Sequence, residues 1–174
     1  MLHWLLTIVS LFAFVAGAGG ARLQSLQVDQ PPSYLDHNVK PTVVITLQRT
    51  VCYGTCPEYK LTIFADGRVL YEGTSYVKKE GKAWGRITRR QLEKLILEFN
   101  KINYFSLADS YTPGTKVCPQ SMTDMPAATT SLTRNGKSKT IVHYHGCRGL
   151  SVMDQLTQLE NKIDAAVNVN KWVK

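Results

Sequence analysis

Two dipeptides, Asp66-Gly67 and Asn135-Gly136, each stand between segments in which apolar residues alternate with polar ones. Such a dipeptide suits a type I′ turn, which needs positive φ at both central residues and joins antiparallel strands. Glu58 to Ala65, with Tyr59, Leu61 and Ile63 in alternation, and Arg68 to Glu72 flank the first turn. Ala127 to Arg134 and Lys137 to His145 flank the second. Thr42 to Cys52 adds a strand ahead of them, with Val43, Ile45, Leu47 and Val51 on one parity. Gly73 to Arg86 reads as a continuation of the meander, turning near Glu80-Gly81. A two-residue loop at Asn135-Gly136 sets Arg134 opposite Lys137 and Asp124 opposite Cys147.

Between the hairpins lies a helix. Thr88 and Gln91 match a capping box, in which each side chain meets an orphan backbone N–H of the first turn. Leu92, Leu95, Ile96, Phe99 and Ile102 then make one apolar stripe. Val152, Leu156, Leu159 and Ile163 mark a second amphipathic helix starting near Gly149 or Ser151, and Trp172-Val173 is placed to dock back on the core. The order predicts an α+β fold: an antiparallel sheet of about five or six strands (meander, helix, hairpin, helix) with two helices packed on one face. There is no βαβ alternation and no Gly-rich phosphate loop, which argues against a Rossmann-like nucleotide binder. Asn103 to Pro126 shows no clear element, and a loop of that length is usually functional or pinned.

The chain begins with an apolar stretch, Trp4 to Ala16, followed by the small residues Ala16-Gly17-Ala18. It falls short of the ~20 residues that span a bilayer and fits a cleaved export signal. We expect residues 1–18 to be a signal peptide, 19–41 a polar linker broken by Pro31, Pro32 and Pro41, and 42–174 a single domain. The expected location is outside the cytoplasm, periplasmic or secreted.

Four cysteines in an exported chain favour disulfides. They allow three connectivities. Cys52 and Cys56 bracket Tyr53-Gly54-Thr55 at a chain reversal, and Cys118 lies within reach of Cys147 at the end of the last strand. The favoured pairing is therefore Cys52–Cys56 and Cys118–Cys147, the second tying the long loop to the sheet. The run Cys52-Tyr53-Gly54-Thr55-Cys56-Pro57-Glu58-Tyr59, followed by Asp66-Gly67, resembles an uncharacterised family of mostly bacterial exported domains, known only as a domain of unknown function. The likeness runs from Thr42 to about Val173 and takes in Tyr71-Glu72-Gly73, Phe105-Ser106-Leu107, Asn135-Gly136 and Trp172. It implies a single exported domain and supplies no activity or catalytic residue.

Three constellations could carry chemistry. Cys52 and Cys56 could form a redox pair, but the spacing is C-x-x-x-C and no thioredoxin-like pattern follows. His143, His145 and Cys147 alternate on one strand face, and with Cys118 they make a candidate Cys₂His₂ metal set. Met122 and Met125 nearby would suit a soft ion. An oxidising compartment favours the disulfide over both. Lys78, Lys79, Lys82, Arg86, Arg89 and Arg90 form a basic run, with Tyr76 and Trp84 interleaved, in a chain of formal net charge +8. Basic charge selects anionic neighbours, such as an envelope component or an acidic protein, and export argues against nucleic acid. With no catalytic set and no cofactor expected, the sequence reads as a non-enzymatic binding domain of the cell envelope. A metal-binding or thiol-redox protein using Cys118, His143, His145 and Cys147 is the alternative.

Overall fold

The computed structural model describes residues 42–174; the expected signal peptide and linker lie outside the described residues. Strands β1 (Val43–Arg49), β2 (Glu58–Phe64), β3 (Arg68–Ser75) and β4 (Gly81–Arg86) form an antiparallel meander. On its other side β1 pairs with β7 (Ala127–Arg134), which returns as β8 (Lys137–Tyr144). A two-residue strand, β5 (Ser110–Tyr111), adds to β8 in parallel. The sheet therefore has seven strands in the order β4-β3-β2-β1-β7-β8-β5, more than expected, because the loop that shows no periodicity contributes one. Within the same loop, β6 (Gln120–Ser121) pairs with β9 (Cys147–Arg148) in a separate small ladder.

The two turn dipeptides behave differently. Asn135 and Gly136 both take positive φ, 52° and 72°, and Arg134 pairs with Lys137, as a type I′ turn requires. At Asp66-Gly67 only the glycine is left-handed, with φ of 81°. The Gly67 N–H bonds the Phe64 carbonyl at 2.9 Å, and Asp66 accepts from the Arg68 N–H at 2.9 Å. The turn is thus built on three residues, Ala65 to Gly67. A Cβ on Gly67 would come within 2.4 Å of the Ile87 carbonyl oxygen.

Farther along the second hairpin the expected register fails. Ser121, not Asp124, stands opposite Cys147. Asp124 adopts positive φ, and the strand restarts only at Pro126, whose carbonyl accepts from His145 N–H at 2.9 Å. The residues between are looped out. Val51 also departs from expectation: past Arg49 the chain peels away from the sheet, so Val51 is exposed despite its inward parity.

Helix α1 (Arg89–Lys101) carries the expected capping box, with Thr88 Oγ1 accepting from Gln91 N–H and Gln91 Oε1 from Thr88 N–H. It buries Leu92, Leu95 and Phe99. Helix α2 (Ser151–Val167) buries Met153, Leu156, Leu159, Ile163 and Val167. Both helices pack on the sheet face that presents Ile45, Leu47, Leu61, Ile63, Tyr71, Leu132 and Ile141, and Lys162 of α2 bonds Glu98 of α1 at 2.6 Å. Among the described residues, no helix is long and apolar enough to cross a membrane.

Two further anchors close the core. Tyr104, just after α1, is buried edge-on to Phe99 and donates its hydroxyl to the Thr130 carbonyl at 2.8 Å. The short helix α3 (Asn170–Val173) brings Trp172 onto Tyr71, ring centroids 4.7 Å apart. The indole lies so close to Gly85 that a Cβ there would meet it at 2.9 Å.

Candidate functional site

Inward positions of β1 run Ile45, Leu47, Arg49, so the alternation that buries two aliphatic side chains also turns a guanidinium toward α2. Register places Tyr59 of β2 beside Arg49 on one side and Ala128 of β7 on the other, with His143 of β8 next in the same row. Above this row α2 presents Glu160 and Asp164, one turn apart on its buried side.

The charges are closely matched. Arg49 donates Nε to Asp164 Oδ2 at 2.9 Å, Nη2 to the same carboxylate at 2.8 Å, and Nη2 to Asn161 Oδ1 at 3.1 Å. Tyr59 donates its hydroxyl to Asp164 Oδ1 at 2.8 Å. Glu160 is fully buried. It accepts from His143 Nδ1 at 2.8 Å and His145 Nε2 at 2.7 Å, and Arg49 Nη1 stands 3.5 Å away.

Burial pushes the Glu160 carboxyl upward, but the bonds from His143 and His145 outweigh it and hold the group below the usual range. An ionised carboxylate only accepts, so His143 carries its proton on Nδ1 and His145 on Nε2. For Asp164 burial wins over the pull of Arg49 and Tyr59 and leaves the carboxyl raised. Burial and Asp164 together push the Tyr59 hydroxyl far up, so it stays protonated and a donor.

Beside this network opens a cleft of about 620 Å³, between the ends of β1 and β2 and the last turns of α2. Arg49, Tyr59, Asn161 and Asp164 form its polar wall, and Cys56 and Pro57 line its rim. The rim loop is closed by the Cys52–Cys56 disulfide, Cα atoms 5.5 Å apart, and is tied to the loop ahead of β7 by Tyr53 N–H on the Asp124 carbonyl. Tyr53 itself projects into solvent, 90% exposed.

The second disulfide joins Cys118 to Cys147. That is the favoured pairing, and it takes both thiolates from the alternative Cys₂His₂ metal set. His143 and His145 meet Glu160 instead, so the four residues of that alternative do not come together as one donor set. The basic run is exposed throughout but divided. Lys78, Lys79 and Lys82 sit at the start of β4, and Arg86, Arg89 and Arg90 at its end, about 16 Å along the strand at ~3.3 Å per residue. Lys82 pairs with Glu72 and Arg89 with Glu93.

Residues 43–167 match the family described as Domain of unknown function (DUF6438). The chain belongs to the DUF6438 family. The match opens at the first residue of β1 and ends at the last of α2, so it contains the whole Arg49–Glu160–Asp164 network and both disulfides. No curated protein matches the chain.

Sequence reasoning passed over Arg49, Tyr59, Glu160 and Asp164. A signal was present: Arg49 occupies the apolar parity of its strand, and Glu160 and Asp164 border the apolar stripe of their helix. A charge at an inward position asks for a partner, since buried charges are paired.

Proposed function

We propose that this DUF6438 domain is an exported, non-enzymatic binding domain, and that its ligand occupies the cleft between the Cys52–Cys56 loop and α2. The cleft itself carries this reading. Its volume of about 620 Å³ falls in the range of small-molecule sites, roughly 300–1,000 Å³. It joins an apolar rim to a few fixed polar groups, the usual make-up of such sites.

Binding fits the chemistry better than turnover. Arg49, Asp164, Glu160, Tyr59 and the histidines satisfy one another, and no side-chain polar atom buried among the described residues lacks a partner. The network holds a rigid wall. Export is supported by the apolar N-terminal stretch and by two disulfides, which persist in oxidising compartments.

Thermal shift against envelope-derived amino acids, short peptides and saccharides tests the site. A true ligand at 100 times its Kd stabilises by about 2.7 kcal/mol. The shift should vanish in Ala165→Trp, which fills the cleft from an exposed helix position. A ligand that stabilises both proteins equally places the site elsewhere.

A further inference from the structure

We infer that His143, His145 and Glu160 form a binding site for a divalent transition-metal cation of the zinc type. Their donor atoms, His143 Nδ1, His145 Nε2 and a Glu160 carboxylate oxygen, all lie within 4.8 Å of one another. Strand β8 and the residue after it supply the imidazoles, and α2 supplies the carboxylate. Two imidazole nitrogens and one carboxylate suit zinc and its neighbours rather than magnesium or calcium, which take oxygen ligands. Three protein ligands also leave a fourth tetrahedral position for water.

The site is built rather than incidental. His143 and Glu160 are buried, and both histidines already aim a ring nitrogen at the same carboxylate. A cation takes the place of those two ring protons, which move to the other ring nitrogen or leave. Donors on one zinc stand about 3.3 Å apart, given bonds of ~2.0–2.1 Å in a tetrahedron. The present contacts of 2.8 and 2.7 Å must therefore open slightly, and the widest separation in the set, up to 4.8 Å, must close. His145 can make that adjustment, because its side chain is 19% exposed and gives solvent a route inward. Among the described residues, Arg49 is the one cation in ion-pair range of Glu160 besides the two histidines. Its close bonds go to Asp164 and Asn161, and its distance to Glu160 is 3.5 Å. Asp164 balances its charge, leaving Glu160 for the metal.

Equilibrium dialysis of the exported, oxidised protein against zinc chloride should show one bound equivalent at low micromolar concentration. His145→Gln keeps a hydrogen-bond donor for Glu160 but lacks the imidazole. It should weaken binding at least tenfold while the metal-free melting temperature changes little. Cobalt(II) should give visible d–d bands without a thiolate charge-transfer band, since all four cysteines are bonded. Absence of stoichiometric zinc, or zinc binding unaffected by His145→Gln, overturns the site. Neither result bears on the cleft, whose ligand is read in a separate variant.

Discussion

Arg49 binds Asp164 directly and stands 3.5 Å from Glu160, and its removal has a calculable consequence. Glu160 and Asp164 would stay buried with no guanidinium beside them. Stranding buried charges in this way costs about 3–5 kcal/mol. Arg49→Ala should lower stability by that amount in urea titration, well beyond the loss expected for an exposed arginine. Glu160 adds a dependence on pH. Its folded-state carboxyl lies below the ordinary 4.5, so its stabilising contribution is present above that value and drains away as pH falls through the folded one. Asp164, raised from 3.8, runs the opposite way and favours the fold in acid. Comparing the protein with Glu160→Gln isolates the first effect. The gap between their melting temperatures should narrow from pH 7 to pH 3, and a gap independent of pH would mean that the two histidines do not hold Glu160 ionised. At this scale the sequence was least informative. Asp164 lies 115 residues from Arg49, and no local pattern links such partners.

Helix α1 and the loop after it show what element-level patterns do convey. The capping box and the apolar stripe both form because each depends on residues within three or four positions of one another. Leu95→Ala and Phe99→Ala remove side chains buried in the core and should each cost about 2–5 kcal/mol, read as a shift of the denaturation midpoint. At Asp66-Gly67 the dipeptide alone does not fix the turn length, because Ala65 joins the turn, and the glycine is demanded by the Ile87 carbonyl oxygen approaching from the segment between β4 and α1. β5 and β6 were invisible for a related reason: two residues carry no period, and each strand exists only through its partner. Even the correct pairing of Cys118 with Cys147 came from a register displaced by the looping-out at Asp124. Reach mattered more than alignment. Cys118 and Cys147 are both buried, while Cys52 and Cys56 are partly exposed. Mild reductant should open Cys52–Cys56 first, detected by alkylation and peptide mapping. Later cleavage of Cys118–Cys147 should speed amide exchange in the segment from Asn103 to Pro126 while the sheet stays protected.

At the scale of the whole molecule, fold class, the two longer helices and cysteine pairing could be read from alternation, stripe and count, whereas the four-residue α3 is too short to carry a stripe. The cleft could not, because it is made where β1 ends, β2 begins and α2 runs out, the last far from the other two in sequence. Processing belongs to this scale too: mass spectrometry of exported material should find a chain starting near Gly19, and retained Met1 would mean that the N-terminal stretch is not cleaved. One consequence follows from the row of Tyr59, Arg49, Ala128 and His143 across β2, β1, β7 and β8. Side chains on a strand alternate between faces, so a slip by one residue in β1 would turn Arg49 toward solvent and leave Asp164 of α2 without its guanidinium partner. A slip in β8 would do the same to His143. Each acid thus checks a different strand, and a mispaired sheet cannot be closed by α2 without a charge penalty. The polar row is a combination lock for strand register, set by four segments and closed by one helix.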